Sequence, residues 1–220
     1  GIGEIYAIAS HPYFDANTLT DDWEELRQDP AAPMVNRATQ ATYPLGTLVS
    51  SLGMATYYNA PQSARGSLQN SAGNQDEYCQ AASEAYGEEL SGIQGGCEQA
   101  AMEIIQNLDP TTFLNHLESF GLFTAPSFSL RTIAPTVRPD PAVIETKPKT
   151  ALEIQATPLQ MALVAASITN DGLLPSPHLL NTYLAENGTW TPFREGVLPV
   201  RLISSEAITR LRANLAGSDQ

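Results

Sequence analysis

Apolar residues recur three and four positions apart along much of this chain, which is the spacing of a helix with one buried face. The pattern predicts helices over 46–58, 97–108, 110–120, 157–168 and from Ser204 or Ser205 to 215. The intervals between these helices are short or rich in turn-forming residues. The chain is therefore expected to be mostly helical.

Capping residues mark the start of two of these helices. Asp109 is an N-cap residue followed by Pro110 at the first helical position. Thr157, with Gln160 three residues later, forms a capping box. Residues 159–168 are apolar almost all round, so this helix is expected to be central and buried on most faces.

Extended segments are few and short. The apolar run 5–9 predicts a buried strand, and 200–203 predicts a brief extended segment. Residues 187–188 read Asn-Gly between the runs 179–185 and 189–193, which is a strong signal for a tight β-hairpin. With the helices, these segments indicate the α+β class.

The remaining stretches lack a clear apolar period. Residues 21–27 predict a short polar helix on the surface. Residues 59–77 are rich in Gln, Ser, Asn and Gly, and residues 134–149 contain several prolines. Both are expected to be exposed loops.

Composition narrows the class of partner. The chain has 220 residues, 42% apolar content and a formal net charge of −13, with lysine only at 147 and 149. This size suits one domain, and the acidic balance argues against nucleic acid or anionic membrane as a partner. No apolar run approaches the ~18 residues of a membrane span, so neither a membrane span nor a signal peptide is predicted within these residues.

One motif carries a resemblance to a known family. Residues 36–38 read Asn-Arg-Ala, and residues 43–50 read Tyr-Pro-Leu-Gly-Thr-Leu-Val-Ser. This stretch resembles the entry to the nucleophile helix of penicillin-binding protein transpeptidase domains, where N-R-A is followed by Y-P-P-G-S-x-x-K. Other landmarks of that family occur in the same order, at 3–17, 120–122, 157–162 and 169–172.

The resemblance places altered residues at the catalytic positions. Thr47 stands where the family has its serine nucleophile, and Ser50 stands where it has its lysine base. Serine and lysine three apart share one helix face, so the amine can take the hydroxyl proton. Thr47 beside Ser50 has no such base, and the site is predicted to lack an activated nucleophile.

The second family motif, Ser-x-Asn, falls on Gly96-Cys97-Glu98. Gly96 offers no hydroxyl for proton relay. Glu98 replaces a neutral amide with an anion that only accepts hydrogen bonds. This motif is therefore also predicted to be degraded.

The sequence stops at Gln220, about where the family would approach its third motif, Lys-Thr-Gly. Lys149-Thr150-Ala151 is superficially similar but precedes Thr157, so it lies in the wrong order. Thr146 and Lys149 also have the hydroxyl-x-x-lysine spacing, although Pro148 argues against a continuing helix. Neither pair is expected to be catalytic.

The resemblance implies a penicillin-binding, β-lactamase-like fold with a helical lobe beside a small antiparallel sheet. Residues 1–220 would form one domain, with 42–175 as the helical lobe and 1–20 and 176–220 on the sheet side. The strand that precedes this segment in the family is expected to be missing, so the chain looks truncated at both ends. An N-terminal membrane anchor is expected upstream.

Three functional hypotheses follow from the resemblance. The first is a catalytically inactive domain that serves the extracytoplasmic cell-wall machinery as a structural or binding module, with stem peptides or cell-wall synthesis proteins as partners. The second is an active serine D,D-transpeptidase that acts on D-Ala-D-Ala stems and is acylated by β-lactams. The third is a sensor that binds such ligands without reacting.

Metal and cofactor sites are not predicted. His11, His116 and His178 are scattered, and none lies at metal-ligand spacing from cysteine or carboxylate. His116 is expected at the surface of its helix. Cys79 and Cys97 either form a disulfide, as the family's oxidising location allows, or remain as a buried thiol and an unpaired one.

Overall fold

The structure is a computed structural model that describes residues 3–66, 98–134, 137–192 and 198–216. For 98–100 and 214–216 it describes the backbone alone. The helices are α1 (Trp23–Gln28), α2 (Arg37–Gln40), α3 (Val49–Asn59), α4 (Glu98–Gln106), α5 (Pro110–Ser119), α6 (Pro141–Thr146), α7 (Pro158–Thr169) and α8 (Ser205–Ala216). Short 3-10 turns occupy Gly46–Leu48, Gln62–Ala64 and Pro148–Glu153. The predicted helices are thus confirmed where the chain is described.

Short strands pair antiparallel in three separate places within the described ranges. The pairs are β1 (Tyr43–Pro44) with β2 (Gln155–Ala156), β3 (Leu173–Leu174) with β6 (Val200–Arg201), and β4 (Thr182–Leu184) with β5 (Trp190–Pro192). The β4–β5 pair is the predicted hairpin, with Gly188 at φ 77° in its turn. Positive φ is available to glycine without a steric penalty, which explains the Asn-Gly signal. The helix-rich α+β class is confirmed.

The buried strand predicted over 5–9 is wrong. Instead, Glu4 forms a single parallel bridge with His178, in which the Ile5 amide donates to the His178 carbonyl at 2.9 Å. The Tyr6 side chain is 89% exposed. The apolar run 5–9 has no alternating polar positions, so the sequence did not indicate which of its side chains are buried.

The loop predicted over 134–149 is also partly wrong. It contains α6, whose N-cap Asp140 accepts a hydrogen bond from the Ala142 amide and whose first residue is Pro141. This is the same Asp-Pro start signal as at Asp109. The Ile144 side chain is 2% exposed and anchors the helix in the core.

The helix α3 lies at the centre of the helical packing and contacts α4, α5 and α8. At the crossing with α4, a Cβ added to Gly53 would lie 2.7 Å from Cγ2 of Ile104. The two helices therefore approach more closely than any larger residue allows. The core comprises side chains from these helices and their neighbours, including Val49, Leu52, Ala101, Ile104, Phe113, Leu117, Ile208 and Leu211.

The capping box at the start of α7 is confirmed, and it does more than cap. Thr157 Oγ1 accepts from the Gln160 amide, and Gln160 Oε1 accepts from the Thr157 amide. Gln160 Nε2 also donates to the carbonyls of Gly121 and Thr124, at 2.6 and 3.0 Å. The same two residues thus fasten α7 to the turn that follows α5.

Candidate functional site

The Asn-Arg-Ala stretch builds the frame of the site. The Asn36 side chain accepts from the Ala38 amide and caps α2. The Arg37 guanidinium donates to backbone carbonyls of the preceding loop, including that of Ala31, and the Arg37 amide donates to Ser10 Oγ. Arg37 therefore stabilises backbone rather than facing a ligand.

The turn that carries Thr47 is held by the β1–β2 pair. Beyond this pair, the Leu45 amide donates to the Ile154 carbonyl at 2.7 Å. Gly46 then turns the chain with φ 53°, a backbone conformation that side chains with a Cβ disfavour. The position of Gly46 in the motif thus has a structural cause that does not depend on catalysis.

Thr47 and Ser50 lie at the junction of the 3-10 turn and α3. Thr47 is half-buried, whereas Ser50 is only 1% exposed. Ser50 Oγ donates to the Thr47 carbonyl at 2.6 Å. The Ser50 hydroxyl thus provides a hydrogen-bond donor for a carbonyl of the turn. A neutral hydroxyl is too weak a base to take a proton from Thr47 near neutral pH.

A lysine lies on a neighbouring turn. The 3-10 turn Pro148–Glu153 packs against the Gly46–Leu48 turn and against α4. It carries Lys149 with an exposed side chain, while Ala151 is fully buried beneath it. The sequence order excluded Lys149 from the Lys-Thr-Gly motif, but the fold brings its turn beside that of Thr47.

The structure describes only part of the predicted second motif. Glu98 is the first residue of α4, a helix that contacts both α3 and the Gly46–Leu48 turn. Gly96, Cys79 and Cys97 lie outside the described residues, as does the side chain of Glu98.

His116 does not lie where its place in the helix predicted. It is not a surface side chain but lies partly buried between α5, α3 and the segment before α8, with both ring nitrogens within hydrogen-bond distance of polar atoms. The helical pattern did not indicate this burial, because the hydrogen-bond partners of His116 come from remote parts of the chain.

Other features of the described residues offer little chemistry. No group of three histidine, cysteine or carboxylate side chains in these ranges is placed to hold a metal ion. A cavity of about 200 Å³ lies between α7 and the 120–127 and 174–177 segments, and no ionisable side chain lines it. Within the part of the chain that the structure covers, no helix has the length and apolar character of a membrane span.

Known proteins resemble this chain over nearly its full length. The family model described as penicillin binding protein transpeptidase domain matches residues 2–220. The peptidoglycan D,D-transpeptidase PbpA of Mycolicibacterium smegmatis is 27% identical over 98% of this chain and 51% of its own length. That of Mycobacterium tuberculosis is 23% identical over 99% of this chain and 49% of its own length.

Solved structures agree in fold. The crystal structure of PBPA from Mycobacterium tuberculosis superposes with a TM-score of 0.71 at 20% identity, covering 97% of this chain and 54% of that one. A D,D-transpeptidase domain from Eggerthella lenta gives 0.66 at 22% identity, covering 94% and 56%. The chain thus spans about half the length of the curated relatives it matches.

Proposed function

Because the chain belongs to the penicillin-binding protein transpeptidase domain family, we propose that it is a transpeptidase-like module of the peptidoglycan machinery that forms no stable acyl-enzyme. It acts outside the cytoplasm as a structural or binding module. One observation carries the proposal: Ser50, which the sequence resemblance aligns with the lysine base, is buried and donates its hydroxyl hydrogen to the Thr47 carbonyl.

The energetic argument concerns what acyl transfer requires. A hydroxyl attacks only when a neighbouring base takes its proton, which contributes a factor of about 10²–10⁴ to the rate. Groups that stabilise the developing oxyanion each contribute about 3 kcal/mol more. The Ser50 hydroxyl supplies no base, and Gly96 and Glu98 lack the hydroxyl and amide of the Ser-x-Asn pattern.

Membership of the family supports the proposed partners. The curated relatives are named peptidoglycan D,D-transpeptidases. A chain that keeps the frame of this family, with Asn36, Arg37 and Gly46 in structural roles, is suited to hold a stem peptide or to contact other cell-wall synthesis proteins. The net charge of −13 favours partners that are neutral or basic at the contact.

A second candidate is an active D,D-transpeptidase that acts on D-Ala-D-Ala stems. The packing of the Pro148–Glu153 turn against the Gly46–Leu48 turn favours it, because it brings the turn that carries Lys149 beside the turn that carries Thr47. In this mechanism Lys149 would take the role of the missing base, and Thr47 would be the nucleophile.

Labelling with a fluorescent penicillin, followed by denaturing electrophoresis, distinguishes the two. We expect no labelled band for the chain, nor for Thr47→Ala or Lys149→Ala. The matched controls are Thr111→Ala and Lys147→Ala, which remove an exposed threonine and the other lysine. A band that survives denaturation and is lost in both Thr47→Ala and Lys149→Ala would contradict the proposal and establish the active alternative.

Binding without reaction is measured separately. Titration calorimetry with a D-Ala-D-Ala stem peptide is expected to give saturable binding for a binding module. Saturable binding together with an unlabelled chain supports the module. If the chain neither binds the peptide nor is labelled, its role is restricted to contacts with other proteins.

A further inference from the structure

His116 links three elements that are distant in sequence. Its Nδ1 lies 2.7 Å from Thr56 Oγ1 on α3, and its Nε2 lies 3.3 Å from the carbonyl oxygen of Leu202. Leu202 belongs to the junction between β6 and α8. The imidazole also lies against the Phe120 ring, with centroids 4.8 Å apart.

The partners determine the proton positions. The Leu202 carbonyl only accepts hydrogen bonds, so Nε2 carries a proton. In the neutral ring, Nδ1 then accepts from the Thr56 hydroxyl. When Nδ1 is protonated it must donate to Thr56 Oγ1, whose hydrogen then turns to the Leu52 carbonyl at 2.9 Å. The hydrogen bonds can therefore be kept in both the neutral and the protonated state. The two states differ in the positive charge on the partly buried ring.

The junction is held from the other side by an amide. Asn59 Nδ2 donates to the same Leu202 carbonyl at 3.2 Å, and Asn59 Oδ1 accepts from the Ser204 amide at 2.9 Å. Asn59 is the last residue of α3, so both contacts fasten the start of α8 to that helix. The hydrogen bonds of Asn59 do not titrate, whereas His116, which bonds the same Leu202 carbonyl, can take up a proton.

Charged groups near the junction are engaged elsewhere. On α5, Glu118 pairs with Arg138; at the junction, Arg201 contacts Asp171 and Ser205. On α3, the ionisable side chains are Tyr57 and Tyr58, next to Thr56 in the sequence. Burial lowers the pKa of His116, while the hydrogen bond to Leu202 acts in the opposite direction.

We propose that His116 is an acid-sensitive latch: its protonation places an unpaired charge between α3, α5 and the β6–α8 junction, and so releases the junction. An imidazolium at this partly buried position, with no carboxylate partner among the described residues, is disfavoured by desolvation. The released segment begins at Leu202. It includes the first turn of α8, which packs on the same helix that carries Ser50 at its other end.

The sign of the effect follows from linkage. Because the pKa of His116 is lower in the folded chain than its ordinary value of 6.5, the unfolded or released state binds more protons. The contribution of the latch is complete above pH 6.5 and is lost as pH falls towards the folded pKa. Within that window, the equilibrium constant for release rises by up to about tenfold per pH unit.

Hydrogen exchange of the full 220-residue chain tests the latch. At pH 7.5 and pH 5.5, after correction for intrinsic exchange rates, we expect the Ser204 and Ile208 amides to lose protection in acid. His116→Gln keeps a neutral polar side chain and is expected to abolish this pH dependence. His178→Gln, which alters another histidine that is hydrogen-bonded and partly exposed, is expected to keep it.

Two results would overturn the proposal. One is the same loss of protection in His116→Gln as in the wild-type chain. The other is a wild-type chain whose junction amides do not respond to pH. If His116→Gln does not fold, nitrogen NMR of the wild-type ring decides. A proton on Nε2 with titration below pH 6.5 supports the latch, and titration at or above 6.5 contradicts it.

Discussion

At the scale of single residues, the positions of the motif differ in how far backbone geometry explains the residue found there. Gly46, Asn36 and Arg37 each satisfy a local backbone requirement, so their presence is explained without catalysis. Ser50 satisfies the Thr47 carbonyl, a hydrogen bond that a lysine side chain at this position is too long to make in the same geometry.

Repair of the nucleophile pair is not expected to restore activity. Thr47→Ser with Ser50→Lys places a hydroxyl and an amine on one helix face. Gly96 and Glu98 still supply neither a proton relay nor an amide, and two missing elements of this kind are worth about 3 kcal/mol each of transition-state stabilisation. We expect acylation at least ~10⁴-fold slower than in a working relative.

The measurement is the rate of fluorescent penicillin labelling of the double variant, with Ser50→Lys alone as the control for any effect of burying the amine. Labelling of the double variant at the rate of an active transpeptidase domain would refute this view of the cleft. A circular dichroism spectrum matching that of the wild-type chain ensures that the comparison is made on folded protein.

The burial and contacts of individual side chains were the hardest features to predict from the sequence. The sequence placed Thr47 and Ser50 on one helix face, whereas the structure has Thr47 in the 3-10 turn and Ser50 in the first turn of α3. It gave His116 no role, because the burial of that ring depends on Thr56 and Leu202, which lie 60 and 86 positions away. Local periodicity carries no information about such contacts.

At the scale of elements, helix starts were predictable where a side chain satisfies free backbone amides. Asp109 and Thr157 were identified in this way, and Asp140 carries the same signal within a segment whose prolines suggested a loop. The strand expected over 5–9 failed for a different reason. Strand formation depends on an available neighbour, and here the contact is limited to the bridge with His178.

Thr157→Ala is expected to destabilise the chain by about 1–2 kcal/mol, the upper part of the range for loss of an N-cap. The threonine is 1% exposed, and its partner Gln160 also holds the turn after α5. Urea unfolding followed by circular dichroism gives the free energy. The control Thr111→Ala lies on an exposed face and should change it by less than about 0.5 kcal/mol; equal effects would argue against a special role for the capping box.

Gly53→Ala tests the close crossing of α3 and α4. Alanine favours a helix by about 1 kcal/mol over glycine, but here its methyl group would lie 2.7 Å from Cγ2 of Ile104. We expect the clash to dominate, with a net loss of about 1–2 kcal/mol. Ile104→Ala removes the opposing methyl group, so the two changes together should cost less than the sum of the single losses. Stabilisation by Gly53→Ala alone would show that the helices separate easily.

At the scale of the whole molecule, the sequence predicted the helix-rich α+β class and the family, because both depend on patterns spread over the full length. The short strands were harder, since a pair such as Tyr43–Pro44 with Gln155–Ala156 joins segments more than a hundred residues apart. The central position of α3 follows from the packing of α4, α5 and α8 on it. No single stretch of sequence contains that arrangement.

The net charge of −13 is a property of the whole chain and affects its stability. Ion pairs within the described ranges join mostly exposed side chains: Arg27–Glu24, Arg138–Glu118, Arg201–Asp171 and Arg210–Glu206. Such pairs contribute about 0–1 kcal/mol each, and salt removes part of that. Repulsion among the excess carboxylates acts over longer distances and is screened more strongly.

Sodium chloride is therefore expected to stabilise the chain. Raising it from 10 to 200 mM at pH 7.5 should increase the free energy of unfolding by a few tenths to about 1 kcal/mol, as measured by urea titration. The variant Asp21→Asn with Glu25→Gln removes two exposed negative charges and should show a smaller increase, because less repulsion is left to screen. A fall in stability with salt would mean that the ion pairs outweigh the repulsion, and that the acidic surface is not a net cost to this fold.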